Sequence, residues 1–213
     1  GYQGTRRAVA WMTRQLDALG LAMTAAPRQL RTCQRSTVWE IPAGESSLYF
    51  KAVPPYFRHE IALTEYLMAQ FPRDIPRILA TEPSQGWMLM VAAGDHLLDG
   101  ASGLEAWCAV LHRYAEIQVA VSAQVDQLIA RGCPALSPAQ LGDGLQKLLA
   151  DHEAFIPVDR GYQLTAEERQ RLRECHQHIA AMGRRLAVAP IPLSLDHGDF
   201  WSAQILLHHA TPV

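Results

Sequence analysis

The sequence predicts an α+β protein of two lobes, a small one that holds the strands and a larger one that is nearly all helix. Three observations carry this. Residues Leu30 to Val53 mix β-branched and aromatic residues with alternating polar ones, interrupted by Pro42-Ala43-Gly44-Glu45-Ser46, as a β-hairpin does. Trp87-Met88-Leu89-Met90-Val91-Ala92 is an unbroken apolar run that stops at Gly94-Asp95, as a central strand buried on both faces does. From Ser102 to Pro190 the strand texture is gone and apolar residues recur at helical spacing. The change of texture places the lobe boundary at Ala92–Gly94, so residues 1–93 form the N-terminal lobe and residues 94–213 the helical C-terminal lobe.

Composition sets the outer limits. The chain has 213 residues, 49% hydrophobic and 19% charged, enough for one large domain or two small lobes with a real core. A formal net charge of -2 and the absence of a basic run point away from nucleic acid and from an anionic membrane as partners. Cys33, Cys108, Cys133 and Cys175 are far apart and form no Cys-x-x-Cys, the usage of reduced thiols in a cytoplasmic protein. The first residues, Gly-Tyr-Gln-Gly-Thr-Arg-Arg, lack the apolar centre of a signal peptide, and no apolar run approaches the ~20 residues of a membrane span.

Taken in order, Thr5 is placed to cap a first helix whose apolar face carries Val9, Met12, Leu16 and Leu19, and Gly20 ends it. Thr37–Ile41 and Leu48–Val53 are the hairpin strands. On the second, Tyr49, Lys51 and Val53 share a face because side chains alternate. Pro54-Pro55 breaks that strand, and a helix from Phe57 to Phe71 buries Leu63, Leu67 and Phe71, with Glu60 at the edge of the same face. A lysine on an apolar strand face and a glutamate on an apolar helix face suit an ion pair; the alternative is that both reach separately to water. Arg73–Pro76 is a turn and Ile75–Ala80 a further short strand.

In the second half, Ser102-Gly-Leu-Glu105 reads as a capping box opening a helix to Ala130, with Leu104, Trp107, Leu111 and Tyr114 on its buried side. Ser137-Pro138 starts the next, with Leu141, Leu145, Leu148 and Leu149 apolar. Thr165-Ala-Glu-Glu168 is a second capping box, and its helix carries Leu172, Cys175, Ile179, Met182 and Leu186 until Pro190 and Pro192 stop it. There is no internal repeat and no low-complexity segment.

The last stretch holds most of the chemistry. Between the apolar Leu193 and Leu195 and the apolar Ile205, Leu206 and Leu207 sit Asp196, His197, Asp199, Ser202 and Gln204. Taken alone, this is compatible with a polar loop capped by its own Asp and Ser side chains. A strand lysine (Lys51), a helix glutamate (Glu60), the run Trp87-Met-Leu-Met with Gly94, and Asp-His-Gly-Asp-Phe-Trp-Ser-Ala-Gln-Ile-Leu, in this order, resemble the aminoglycoside phosphotransferase and choline kinase-like family. The resemblance runs from Leu30 to Leu207 and implies a protein-kinase-like two-lobed fold. It implies an ATP-dependent phosphotransferase acting on the hydroxyl of a small molecule, such as an aminoglycoside-like or amino-alcohol acceptor, with ATP and Mg2+ as cofactors. Relatives also phosphorylate homoserine and sugar adducts.

The roles implied follow what phosphoryl transfer needs, which is positioning and charge neutralisation. Lys51 holds the nucleotide α/β-phosphates and Glu60 holds Lys51. Asp199, in the catalytic loop with His197, accepts the hydrogen bond of the acceptor hydroxyl, and His197 buttresses the loop. Gln204 stands where the family has a metal-binding Asn, one methylene longer. The backbone of Met90 and Ala92 receives the adenine. No Gly-x-Gly-x-x-Gly is present; Arg35-Ser36-Thr37 lies in the corresponding loop, where Ser36 and Thr37 meet phosphate through hydroxyl and N–H groups.

The family has a second metal-binding Asp, after the hairpin that follows the loop, and no Asp or Glu follows Asp199 here. The resemblance therefore implies a C-terminally truncated chain that is inactive or very slow as it stands. Its Ile205–Leu207 strand is then left without a partner, an open edge prone to association.

Two rivals remain open at this point. One is a metal site at Cys175, His176 and His178, with His208-His209 elsewhere, set against a core cysteine and solvated histidines. The other is a non-catalytic nucleotide-binding or regulatory module with a kinase-like fold, which Gln204 and the missing Asp favour. Asp143, Asp151, Glu153 and Asp159 read as a solvated face rather than a polycation site.

Overall fold

A strand with one face against a helix must alternate, and Thr37–Ala43 does: Trp39, Ile41 and Ala43 are buried while their neighbours are half-buried. A computed structural model describes residues 2–44, 46–94, 96–98, 102–151, 164–208 and 211–212. In it, β1 (Arg28–Thr32), β2 (Thr37–Ala43), β3 (Ser46–Ala52), β4 (Ile78–Glu82) and β5 (Trp87–Val91) form an antiparallel sheet in the order β1-β2-β3-β5-β4. The expected hairpin is β2–β3, and the apolar run is β5, paired on both sides. β1 extends the sheet by a strand whose residues are all exposed, so no alternation marks it in the sequence. β4 starts at Ile78, not Ile75, because the turn closed by Asp74 N–H on the Phe71 carbonyl (3.0 Å) leads into Pro76, which has no N–H for a ladder.

Helices cover both faces of this sheet. α1 (Tyr2–Ala18) lays Ala8, Trp11, Met12 and Leu16 against Trp39, Ile41, Leu48, Phe50 and Leu89. Phe50 sits among the rings of Trp11, Trp39 and Trp87 at centroid distances of 5.9, 5.8 and 6.0 Å. The helix begins before Thr5, and Leu19 lies beyond its end and is exposed. On the other face α2 (His59–Gln70), entered through a 3-10 turn at Pro55–Phe57, buries Ile61 against Val53 and Met88. Further along, α2 packs Leu67, with Leu63, against Ile117, Val121 and Leu128.

α3 (Gly103–Ser122) and α4 (Val125–Ala130) replace the single helix expected from Ser102 to Ala130. Ser102 itself has helical angles (φ -67, ψ -12) and makes no side-chain cap bond, so the capping box is not formed. The buried side also differs. Val110, Ile117 and Val121 are in the core, whereas Leu104 and Leu111 are 79% and 53% exposed. α3 is apolar on more than one side, and tertiary neighbours choose among them: Val110 meets Leu98, Ile205 and Leu207, while Ile117 and Val121 meet Leu67 and Leu128. Arg113 fixes α3 to the turn after α2 by a bidentate pair with Asp74 (2.6 and 2.7 Å).

A second, three-stranded sheet joins β6 (His96–Leu97), β7 (Leu206–His208) and β8 (Thr211–Pro212) in the order β6-β7-β8. β7 therefore has a neighbour on each side, which corrects the expectation of an unpaired edge at Ile205–Leu207 and removes its argument for association. Gly94 permits this packing, since a Cβ there would lie 2.6 Å from the Leu207 carbonyl oxygen.

By contacts the chain divides into two compact units, residues 1–133 with 193–213, and residues 134–192. The boundary expected at Ala92–Gly94 lies inside the first. In the second unit a 3-10 turn (Pro138–Gln140) leads into α5 (Leu141–Ala150), which packs against α6 (Ala166–Ala187) with Gly142 buried against Ala180. The Thr165 capping box forms as expected: Thr165 Oγ1 accepts from Glu168 N–H (3.2 Å) and Glu168 Oε2 from Thr165 N–H (2.7 Å). Ser137 makes no side-chain cap bond. The expected α5 and α6 stripes are only partly covered, since Leu141, Leu148, Met182 and Leu186 are about half exposed and Cys175 is exposed, not core. Among the described residues no helix is long and apolar enough to cross a membrane. Asp95, Glu153, Asp159 and His209 lie outside the described residues.

Candidate active site

Three pieces of the first unit bring polar side chains together. The first is on the α2 side of the large sheet. Lys51 lies on β3 opposite Val38 of β2 and Met88 of β5, with Val53 beyond it on the same face. Glu60 is in the first turn of α2, where the helix dipole favours an acid. Lys51 Nζ donates to Glu60 Oε1, and the two side chains are 27% and 29% exposed. The pair expected from the two apolar faces is formed; the two groups do not reach separately to water.

The second piece is the turn between β1 and β2. Cys33 N–H donates to the Ser36 carbonyl (3.0 Å), closing the turn, and Tyr56 Oη donates to the Gln34 carbonyl (2.5 Å), tying it to the segment that enters α2. Ser36 and Thr37 are half-buried, with Thr37 Oγ1 accepting from Thr32 Oγ1 (3.3 Å). Backbone N–H groups of Arg35 and Ser36 hold the Cys33 thiol below its ordinary pKa.

The third piece is the segment from Ser194 to Gln204, which has little regular backbone pairing. α3 holds it instead. Gln118 Nε2 donates to the Leu195 carbonyl (2.8 Å), and Ser194 Oγ donates to the Gln118 carbonyl. Tyr114 Oη donates weakly to the Leu195 carbonyl (3.4 Å) and accepts from His197 N–H (2.8 Å). Burial pushes the Tyr114 phenol pKa up, so it stays a neutral donor and acceptor. The Tyr114 ring stacks on Phe200 at 4.4 Å, and the His197 ring meets Phe200 edge-on at 5.6 Å. His197 thus packs against the loop from its exposed side. Gly198, at φ +70, turns its N–H to Asp196 Oδ1 (3.3 Å), a bend that an L side chain would strain.

This bend presents Asp199. Its Oδ2 accepts from Gln204 Nε2 (3.1 Å) and lies 3.2 Å from Arg35 Nη1. The loop aspartate and the β1–β2 turn therefore meet, and the residue that joins them is Arg35. Sequence reasoning chose Ser36 and Thr37 in that turn and passed over Arg35, the cation beside them; its charge in a loop expected to meet phosphate was the available signal. No hydrogen bond or ion pair links the Lys51–Glu60 pair to Asp199 among the described residues. Met90 is half-buried on β5 between Tyr49 and Ile78, and Ala92 is exposed just past the strand end.

A magnesium ion takes oxygen donors in near-octahedral geometry and keeps several waters. The protein oxygens at hand are the Asp199 carboxylate and the Gln204 amide oxygen, whose nitrogen is turned to Asp199. An ion that met only these two groups of the protein would be carried largely by phosphates and water. No three His, Cys, Asp or Glu side chains converge on a metal position among the described residues, and this includes Cys175, His176 and His178.

No protein-family model matches the chain, and no curated protein matches it by sequence. Among solved structures it is similar to a macrolide 2'-phosphotransferase type I, with a TM-score of 0.57 and 9% identity, over 96% of this chain and 68% of that one. At this identity the similarity is one of fold. With the antiparallel sheet and the helices described above, it shows an α+β, kinase-like fold.

Proposed function

We propose that the chain is a cytoplasmic phosphotransferase that moves the terminal phosphoryl group of ATP, bound with Mg2+, to a hydroxyl of a small molecule. The observation that carries this reading is the Lys51–Glu60 ion pair, a strand lysine fixed by a helix carboxylate within a kinase-like fold. Residues 1–93 serve as the nucleotide lobe and residues 94–213 carry the catalytic loop. Lys51 binds the α/β-phosphates, and Glu60 orients it. Ser36 and Thr37 face phosphate, and the backbone at Met90 and Ala92 receives the adenine.

Asp199 accepts the hydrogen bond of the acceptor hydroxyl and aims its oxygen at the phosphorus. The new O–P bond forms as the bond to the ADP oxygen breaks, and the hydroxyl proton passes to the Asp199 carboxylate. Gln204 steadies Asp199 through its amide nitrogen and offers its oxygen to the ion, which supplies neutralisation of phosphate charge. His197 holds the loop against Phe200.

Incubation with Mg2+ and ATP across hydroxyl acceptors (aminoglycosides, macrolides, amino alcohols), with mass detection of a phosphorylated product, tests the reading. Product from the wild type and none from Asp199→Asn supports it. A second reading, nucleotide binding without transfer, is favoured by Gln204, whose amide nitrogen faces Asp199. Calorimetric ATP binding with no product from any acceptor would favour that module; no nucleotide binding at all would overturn both.

A further inference from the structure

We propose that Arg35 is shared between two anions, the Asp199 carboxylate and the terminal phosphate of the nucleotide, so that nucleotide binding and the unmasking of Asp199 are one event. The inference rests on the phosphotransferase reading and adds to it a residue and a coupling. The starting observation is that a guanidinium from the β1–β2 turn lies on the carboxylate of the loop aspartate, Nη1 to Oδ2 at 3.2 Å. The Arg35 and Asp199 side chains are 61% and 37% exposed. A pair between groups this exposed is weak and screened. A terminal phosphate offers more negative charge and several oxygens to the same five-donor fork, and the pairing can become bidentate.

The backbone beneath Arg35 is suited to such an exchange. The turn is closed by Cys33 on Ser36 and pinned by Tyr56 on Gln34, so the side chain can swing while its anchor stays. This turn has no glycine-rich run to present backbone N–H groups, and Arg35 puts a side-chain cation there instead. While Arg35 stays on Oδ2, it and Gln204 occupy the carboxylate oxygen that an acceptor hydroxyl would meet. Transfer of Arg35 to phosphate removes that restraint. Asp199 and phosphate then compete for one guanidinium, and the competition is measurable.

The test is calorimetry in Mg2+ with a non-hydrolysable ATP analogue, ADP and AMP, on wild type, Arg35→Ala, Arg35→Lys, Asp199→Asn and the Arg35→Ala/Asp199→Asn double variant, with a thermal melt confirming that each is folded. Arg35→Ala should weaken the triphosphate analogue about tenfold and change AMP by less than about twofold. Arg35→Lys should recover part of the loss, since it keeps charge but not the fork. Asp199→Asn should tighten triphosphate binding a few-fold in wild type, and that gain should vanish without Arg35. Equal triphosphate affinity in wild type and Arg35→Ala, equal losses for all three nucleotides, or a gain from Asp199→Asn that survives without Arg35 each overturn the proposal while leaving the nucleotide site standing. A folded wild type that binds no nucleotide overturns the site reading, and the proposal with it.

Discussion

Lys51 and Asp199 have roles in one reaction only in the proposed function, and they are fixed by different kinds of structure. Lys51 sits on a strand laddered on both sides, in a sheet packed by α1 on one face and by α2 on the other, and its partner Glu60 comes from a helix. Asp199 sits in a segment placed by side chains that reach across to it: Gln118 and Tyr114 hold Leu195 and His197, Phe200 stacks on Tyr114, and Gln204 and Arg35 hold the carboxylate. Packed, laddered structure resists local change and fails as a whole. Structure held by a few side-chain bonds can lose its geometry while the fold survives. The two halves should therefore answer differently to mutation.

The largest effects should fall on opposite quantities. Asp199→Asn is expected to lower turnover by about 10²–10⁴-fold, the range for loss of a positioned proton acceptor, with nucleotide affinity kept or tightened a few-fold and the melting temperature little changed. Steady-state kinetics beside a thermal melt reads both. In the other half, Phe50→Ala empties the space among Trp11, Trp39 and Trp87 and should cost about 3–5 kcal/mol of stability, read as a lower denaturant midpoint. An Asp199→Asn protein that melts far below wild type, or a Phe50→Ala protein as stable as wild type, would break the comparison.

An intermediate case sharpens it. Gln118→Ala removes the donor to the Leu195 carbonyl and should cost only about 1 kcal/mol of stability. Its turnover should fall further than its nucleotide affinity, because the hydrogen bonds of Gln118 go to Ser194 and Leu195, which lead into the Asp199 loop. Equal losses in kcat and in nucleotide affinity would mean that the two halves are one mechanical unit.

The smallest effect concerns two thiols. Cys33, in the turn beside Arg35, has its pKa lowered by backbone N–H groups, and Cys133 has its pKa raised by burial. At a given pH below the ordinary thiol value, Cys33 carries the larger thiolate fraction, so iodoacetamide should modify it first, and its rate should rise at lower pH than that of Cys133. Peptide mapping across a pH series checks the order. Cys133 reacting first would contradict it.

The same contrast explains what could be read from the sequence. β2, β3 and the Lys51–Glu60 pair were legible because one-sided burial imposes alternation, and two apolar faces left one charge on each. β1 left no pattern because neither of its faces is buried. The two Ser/Thr-x-x-Glu patterns fared differently for a backbone reason: Thr165 is extended (φ -64, ψ 163) and caps its helix, whereas Ser102 is already helical and does not. The buried side of α3 was misread because Leu104 and Leu111 make as regular a stripe as Val110, Ile117 and Val121, and only packing tells them apart. Asp199 and Gln204 were visible as residue types. Their union with Arg35, some 160 positions away, depends on a turn geometry that no local pattern encodes.

The most direct test of the account is transfer of a labelled terminal phosphate from ATP to small-molecule hydroxyl acceptors, run side by side on wild type, Lys51→Met and Asp199→Asn. The account predicts slow labelling of an acceptor with the wild type and its loss in both variants, through lost nucleotide binding in Lys51→Met and with binding kept or tightened a few-fold in Asp199→Asn. Transfer at the wild-type rate by either variant would contradict it.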